Sequence, residues 1–136
     1  MPKMTLTAAY LSLDGQDRSG DSSKVEVTAE VEEKDVTTFK SLGWKEVIGG
    51  LKSGSLAVTF KNDVATGQLD EFMWARLGTV VPFEVRATQG VVSASNPKYT
   101  GSCLIKSWTP IAGAPGDVNE ANYTFPASGP VVRGTT

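Results

Sequence analysis

Gln68 to Leu77 reads QLDEFMWARL, and its spacing predicts a helix around which the rest of the chain is organised. Leu69, Phe72, Met73, Arg76 and Leu77 fall at i, i+3, i+4, i+7 and i+8, which draws one apolar stripe at helical period. Leu69, Phe72, Met73 and Leu77 are therefore the expected core of this helix. Thr66 is positioned to cap it, its hydroxyl accepting from an orphan amide of the first turn. Asp70 and Glu71 complement the positive end of the dipole, Arg76 the negative end, and Gly78 supplies a stop. Upstream, Leu56, Val58 and Phe60 alternate with polar neighbours, and downstream Val81, Phe83 and Val85 do the same. Strand, helix and strand thus follow one another, and the helix has to lie on a sheet to bury its stripe. The fold class this implies is mainly β with one α-helix: a β-sandwich or open barrel flanked by a single helix.

Working outward, Lys24 to Glu33 gives the cleanest alternation in the chain. Val25, Val27, Ala29 and Val31 share one face, expected to pack on the core; Lys24, Glu26, Thr28, Glu30 and Glu32 share the other. Ala9, Leu11 and Leu13 mark a first strand that ends at the turn signal Asp14-Gly15. Gln16 to Ser23 reads as a polar hairpin loop. Its acids, with Asp14, Asp17 and Asp21 in series, do not match the spacing of a calcium loop and read as solvated. Lys98 to Trp108 reads as a strand with Tyr99, Gly101, Cys103 and Ile105 on one face and Leu104 and Trp108 on the other. Thr88 to Asn96 and Pro110 to Gly116 read as loops. Ala121, Tyr123 and Phe125 begin a last strand that Pro126 ends, and Val131 to Arg133 adds an edge pairing. The total is six to eight strands in a single domain over 1–136, with no internal repeat.

Lys34 to Gly54 resists this scheme. It carries Phe39, Leu42, Trp44, Val47, Ile48 and Leu51 but is interrupted by Gly43, Gly49-Gly50 and Gly54. A long loop with so many large apolar residues has to bury them. Part of it reads as either loop or a short helix or strand of this subunit, and Phe39, Leu42, Trp44, Val47 and Ile48 are expected to contact a neighbouring subunit.

Composition narrows the chemistry. The chain of 136 residues has no histidine and one cysteine, and its formal charge is −2. Lack of histidine removes the commonest general base and transition-metal ligand. A lone Cys103 excludes an internal disulfide framework, and its apolar strand makes it an inert thiol. The acidic balance argues against nucleic-acid binding through a basic surface. No apolar run approaches the ~20 residues that span a bilayer, and the opening MPKMTLTAAYLSL lacks a signal-peptide core, so use without export and without a membrane is expected. Gly49-Gly50-Leu51-Lys52-Ser53 lacks the spacing of a phosphate loop. Glu32 and Glu33 point to opposite strand faces, and Asn122-Tyr123-Thr124 is a sequon without meaning unless the chain is exported. No active site, cofactor or metal site emerges.

The C-terminal two thirds, taken as an ordered series, carry a resemblance. GWKEVIGGLKSGSLAVTF (Gly43 to Phe60), QLDEFMWARLG (Gln68 to Gly78), VPFEVR (Val81 to Arg86), NPKYTGSCLIKSWTP (Asn96 to Pro110) and FPASGPVVR (Phe125 to Arg133) together resemble the major tail tube proteins of long-tailed bacteriophages, particularly the short ones of actinobacterial phages. The resemblance implies a β-sandwich flanked by one helix, assembled into stacked hexameric rings whose inner sheets join into a barrel around a lumen that conducts DNA. It further implies a virion location after assembly in the host cytoplasm, with a tape measure protein and a tail terminator as partners besides other copies of the chain. On this reading Glu26, Thr28, Glu30 and Glu32 line the lumen, where carboxylates repel passing phosphate. A different class remains open: a monomeric β-sandwich binding module, carbohydrate-binding or decorating a capsid, with Trp44 or Trp108 as an aromatic platform.

Overall fold

The structure, a computed structural model, describes residues 3–136; Met1 and Pro2, which open the single domain read from the sequence, lie outside the described residues. Eight strands and one α-helix form among the described residues: β1 (Tyr10–Leu13), β2 (Gln16–Asp17), β3 (Ser22–Asp35), β4 (Val47–Lys61), α1 (Leu69–Arg76), β5 (Val80–Arg86), β6 (Lys98–Leu104), β7 (Glu120–Pro126) and β8 (Val132–Gly134). They make two antiparallel sheets, one ordered β2-β1-β5-β6-β8 and the other β3-β4-β7. The fold is mainly β, a sandwich with a single flanking helix.

Alternation sets what lies between the layers. Leu11 and Leu13 of β1, Val81, Phe83 and Val85 of β5 and Cys103 of β6 face Leu56, Val58 and Phe60 of β4 and Tyr123 and Phe125 of β7, all buried. An aromatic column thickens one end. Trp108 stacks on Tyr123 with centroids 5.0 Å apart, Tyr123 stacks on Phe125 at 5.6 Å, and Phe60 meets Trp108 edge-on at 6.1 Å. Such pairs contribute about 0.5–1.5 kcal/mol each beyond burial. The Tyr123 hydroxyl donates to the Thr109 carbonyl and accepts from the Thr109 amide, both at 3.1 Å, so the ring is held at its wet end.

Trp108 reaches this column from an irregular segment, since β6 ends at Leu104. The strand expected through Trp108 stops early because the Ile105 carbonyl accepts from the Gly78 amide at 2.7 Å, while the Thr79 amide that would continue the ladder donates back to the Arg76 carbonyl at 3.0 Å. Gln16 to Ser23, read as a plain loop, contains β2 and a 3-10 turn at Ser19–Asp21. Asp17 there accepts from the Ser19 amide at 2.9 Å and Asp21 pairs with Arg18 at 3.4 Å, so both carboxylates serve the turn.

α1 follows β4 and precedes β5, so it carries the chain from one sheet to the other across the end of the sandwich. Leu69, Phe72 and Met73 are buried in the core. Leu77 is 39% exposed: its ψ of 126° already departs from the helix, and the stripe loses its last member there. Arg76 does not complete the stripe either. Its guanidinium lies 3.9 Å from the Phe72 ring centroid and its Nε donates to Asp14 Oδ2 at 2.9 Å, while Arg18 lies 4.1 Å from the same ring. Thr66 is not the cap. Gln68 holds the N-cap position, the Gly67 amide donates to Glu71 Oε2 at 2.8 Å, and the Asp70 amide donates to the Asp63 carbonyl at 3.1 Å.

Candidate assembly surfaces

Lys34 to Gly54 is part strand and part turn: its two ends belong to β3 and β4, and residues 36–46 reverse the chain between them. β3 and β4 pair from Ser22↔Phe60 to Asp35↔Val47, so the hairpin runs far beyond the sandwich. Opposite β4 on its other edge, β7 pairs only from Lys61↔Glu120 to Ser55↔Pro126. From Ser53 outward the ribbon is therefore two strands wide, and every residue from Ala29 to Lys40 is exposed. The face Val25, Val27, Ala29 and Val31 consequently divides. Val25 and Val27 are half-buried against the core, whereas Ala29 and Val31 pass the edge of the opposing sheet and are exposed. A bulge between Val31 and Glu33 places its extra residue on β4, near Gly49-Gly50, so β3 keeps its alternation to the end.

The turn that closes this ribbon is organised by its own hydrogen bonds. The Val36 amide donates to the Glu46 carbonyl at 2.9 Å, and the Glu46 amide to Thr37 Oγ1 at 2.8 Å. The Thr37 hydroxyl and then its amide hold the Asp35 carboxyl below the ordinary carboxylate range; the amide contact measures 2.8 Å. A 3-10 turn at Phe39–Ser41 follows, with the Thr38 amide donating to Ser41 Oγ at 3.1 Å. Leu42 then takes φ +54° and Gly43 φ +89°, which reverses the chain. A left-handed leucine is costly, about 1–3 kcal/mol, and persists only where its surroundings fix it.

What this turn displays is apolar. Phe39 is fully exposed, Leu42 is 84% and Trp44 79% exposed, and Val47, Ile48 and Leu51 follow on the exposed ribbon. All five residues expected to contact a neighbour sit on this projection, and none is buried within the chain. Trp108, the other aromatic platform considered, is buried and bonds Asp70 through its indole N–H at 2.9 Å.

Glu26, Thr28, Glu30 and Glu32 share one face of β3, with Thr28 half-buried and the three glutamates exposed. Register extends that face across the sheet. Glu26, Thr28 and Glu30 sit opposite Ala57, Ser55 and Ser53 of β4, and Ala57 and Ser55 sit opposite Thr124 and Pro126 of β7. The contributions of β4 and β7 were missed in the sequence. Their signal was legible, because Ser53, Ser55, Ala57, Thr59 and Lys61 are the complement of the alternation that places Leu56, Val58 and Phe60 inside. The whole face is less acidic than its β3 row. Glu32 pairs with Lys34 and Lys61 pairs with Glu120. Glu26, Glu30, Glu32 and Glu120 thus stand against Lys24, Lys34 and Lys61, four against three, a balance of −1.

Cys103 is wholly buried, and desolvation pushes its thiol up to about 11. No group of three or more potential metal ligands occurs among the described residues. No helix among them is long and apolar enough to cross a membrane.

With this geometry in place, solved structures supply the comparison. A chain in the virion of a native gene transfer agent particle superposes with a TM-score of 0.75, covering 96% of this chain and 98% of that one at 20% identity. A chain in the tail of an empty particle of that kind, computed with helical refinement and C6 symmetry, superposes with a TM-score of 0.67, covering 92% of each at 20% identity. The fold is shared. No protein-family model matches the sequence, and no curated protein does.

Proposed function

We propose that this protein is a structural component of a phage-like tail, a single tail-tube-like domain that assembles into stacked hexameric rings. The tube so formed conducts DNA, and the protein performs no catalysis of its own. The observation that carries this reading is the projecting β3–β4 hairpin. Its backbone is ordered by local hydrogen bonds, yet it presents Phe39, Leu42, Trp44, Val47 and Ile48 to solvent. Exposed apolar patches of this extent mark interaction sites. Residues that the subunit does not need for its own core are thereby available to a neighbour.

Two further observations support it. The outer edge of β3 is unpaired over its length, and a ring that pairs it with the β7 edge of the next copy removes both edges. The polar face of Glu26, Thr28, Glu30 and Glu32 then turns to the lumen, with a slightly negative balance that disfavours phosphate binding. The fold shared with a chain of a C6 tail is consistent with six copies per ring. A tape measure protein inside the tube and a terminator at its end complete the expected partners.

Size and shape in solution test the reading. Purified protein is expected to form rings or tubes by negative-stain electron microscopy, with six-fold symmetry in end views. A stable monomer at the 14.4 kDa of the chain, at every concentration tried, contradicts it and favours a monomeric binding module with Trp44 as its platform.

A further inference from the structure

Besides the hairpin, the molecule carries a second apolar projection. The outer face of α1 holds Glu71 and Trp74 at i and i+3, one above the other, and Leu77 follows them at the residue that ends the helix. All three are exposed, Trp74 to 60%. We propose that the hairpin tip of one copy, through Phe39, Lys40 and Trp44, docks on this face of a second copy in the next ring. The contact rests on the tube reading and names what holds one ring to the next.

Charge and geometry favour this pairing. Lys40 has no ion pair among the described residues, and Glu71 has none either. Glu71 gives one carboxylate oxygen to the Gly67 amide and leaves the other available. Each patch therefore sets an exposed, unpaired charge beside large apolar side chains, Lys40 next to Phe39 on the tip and Glu71 next to Trp74 on the helix, and these two charges are opposite.

β4 acts as the ruler between them. The tip hangs from its Val47 end and α1 from its Lys61 end, 14 residues later. At about 3.3 Å per residue the two ends of β4 are roughly 46 Å apart, which keeps the tip of each copy away from its own helix. A contact between two different patches, displaced along one rigid strand, is heterologous, and its repetition generates an open filament. With strands tilted about 40° to a barrel axis, the displacement corresponds to an axial repeat of roughly 35 Å. Ring closure uses other surfaces, the edges of β3 and β7, so stacking and closure are separable.

Crosslinking reads the contact directly. In a Cys103→Ala background, Lys40→Cys and Glu71→Cys are introduced together and assembled protein is oxidised. The expected product is a disulfide ladder that continues past six subunits, because each bond joins successive rings. A ladder that stops at six places the contact within a ring and overturns the proposal, as do tubes that give no crosslink. Charge reversal provides an independent arm. Lys40→Glu is expected to leave isolated rings, and adding Glu71→Lys is expected to restore tubes; Lys40→Glu tubes like those of the parent overturn the docking. Parent protein that forms neither rings nor tubes contradicts the tube reading itself, whereas tubes without crosslinks contradict the docking and leave that reading standing.

Discussion

β3 and β4 are each one continuous strand with two different fates. Near their paired ends at Ser22 and Phe60, the ribbon lies beneath a second sheet, and Leu56, Val58 and Phe60 are buried to 2% exposure or less. Toward Asp35 and Val47 the same ribbon has no second layer, and Val31, Val47, Ile48 and Leu51 are exposed. Apolar residues are present in both halves, so composition does not distinguish them. What differs is the reach of the opposing sheet. The buried half serves the subunit; the projecting half is proposed to serve the assembly.

The largest effect that tests this contrast belongs to the body. Phe72→Ala removes a buried ring that also underlies Arg18 and Arg76, and should cost the subunit about 3–5 kcal/mol by denaturant unfolding. A normally stable variant would show that α1 does not anchor the sandwich end. Cys103 sets a second contrast. Its thiol stays neutral in the folded state up to about pH 11, above its ordinary 9.0. The burial contribution is therefore fully present below pH 9 and is lost as pH rises through 9 to 11, on the order of 2–3 kcal/mol. Cys103→Ala should flatten stability across that window. At pH 8 the native thiol should resist alkylation, while a cysteine placed at Phe39 should react at once.

Truncation of Phe39 and Trp44 to Ala is the converse experiment on the hairpin. Subunit stability should change by less than about 0.5 kcal/mol, as for exposed positions. Each intersubunit contact should lose on the order of 2 kcal/mol, enough to abolish tubes. If assembly survives both truncations, the projection is not the contact. Leu42→Gly is subtler. It relieves a left-handed leucine and should raise subunit stability by about 1 kcal/mol while weakening assembly. Glu26→Lys with Glu30→Lys should leave both regions as stable as before. Tubes of that variant should retain DNA at low salt and release it as salt rises; binding confined to the outer wall would remove these residues from the lumen.

The body was legible in sequence because local signals agreed there. The α1 stripe, its acidic first turn and Gly78 pointed to one helix, and alternation named the inward residues of β4, β5 and β7. Leu77 escaped because helical spacing alone does not register where the backbone turns off; its ψ of 126° does. The hairpin was illegible for a definite reason. Gly43, Gly49-Gly50 and Gly54 looked like breaks in a loop. Gly43 is indeed a reversal, but Gly54 lies inside β4, where a Cβ would come within 2.6 Å of Val131 Cγ2. That glycine permits a close crossing of two segments, a tertiary requirement that no local pattern announces. A strand over part of the segment was one of two open readings, but its continuity with β3 and β4 was not, and Phe39 and Trp44 are exposed within the chain. The polar face was likewise read from β3 alone, so its charge was taken as more acidic than Lys34 and Lys61 make it.

Hydrogen exchange on assembled and dissociated protein measures the central contrast most directly. In isolated subunits, amides of the projecting ribbon, 30–35 and 47–52, should exchange far faster than those of 56–60, because two exposed strands open easily. On assembly the ribbon amides should become protected by at least tenfold, while those of 56–60 change little. Ribbon amides that exchange equally fast in tubes and in subunits would contradict the account, since the projecting half would then be uncovered in the assembly it is proposed to build.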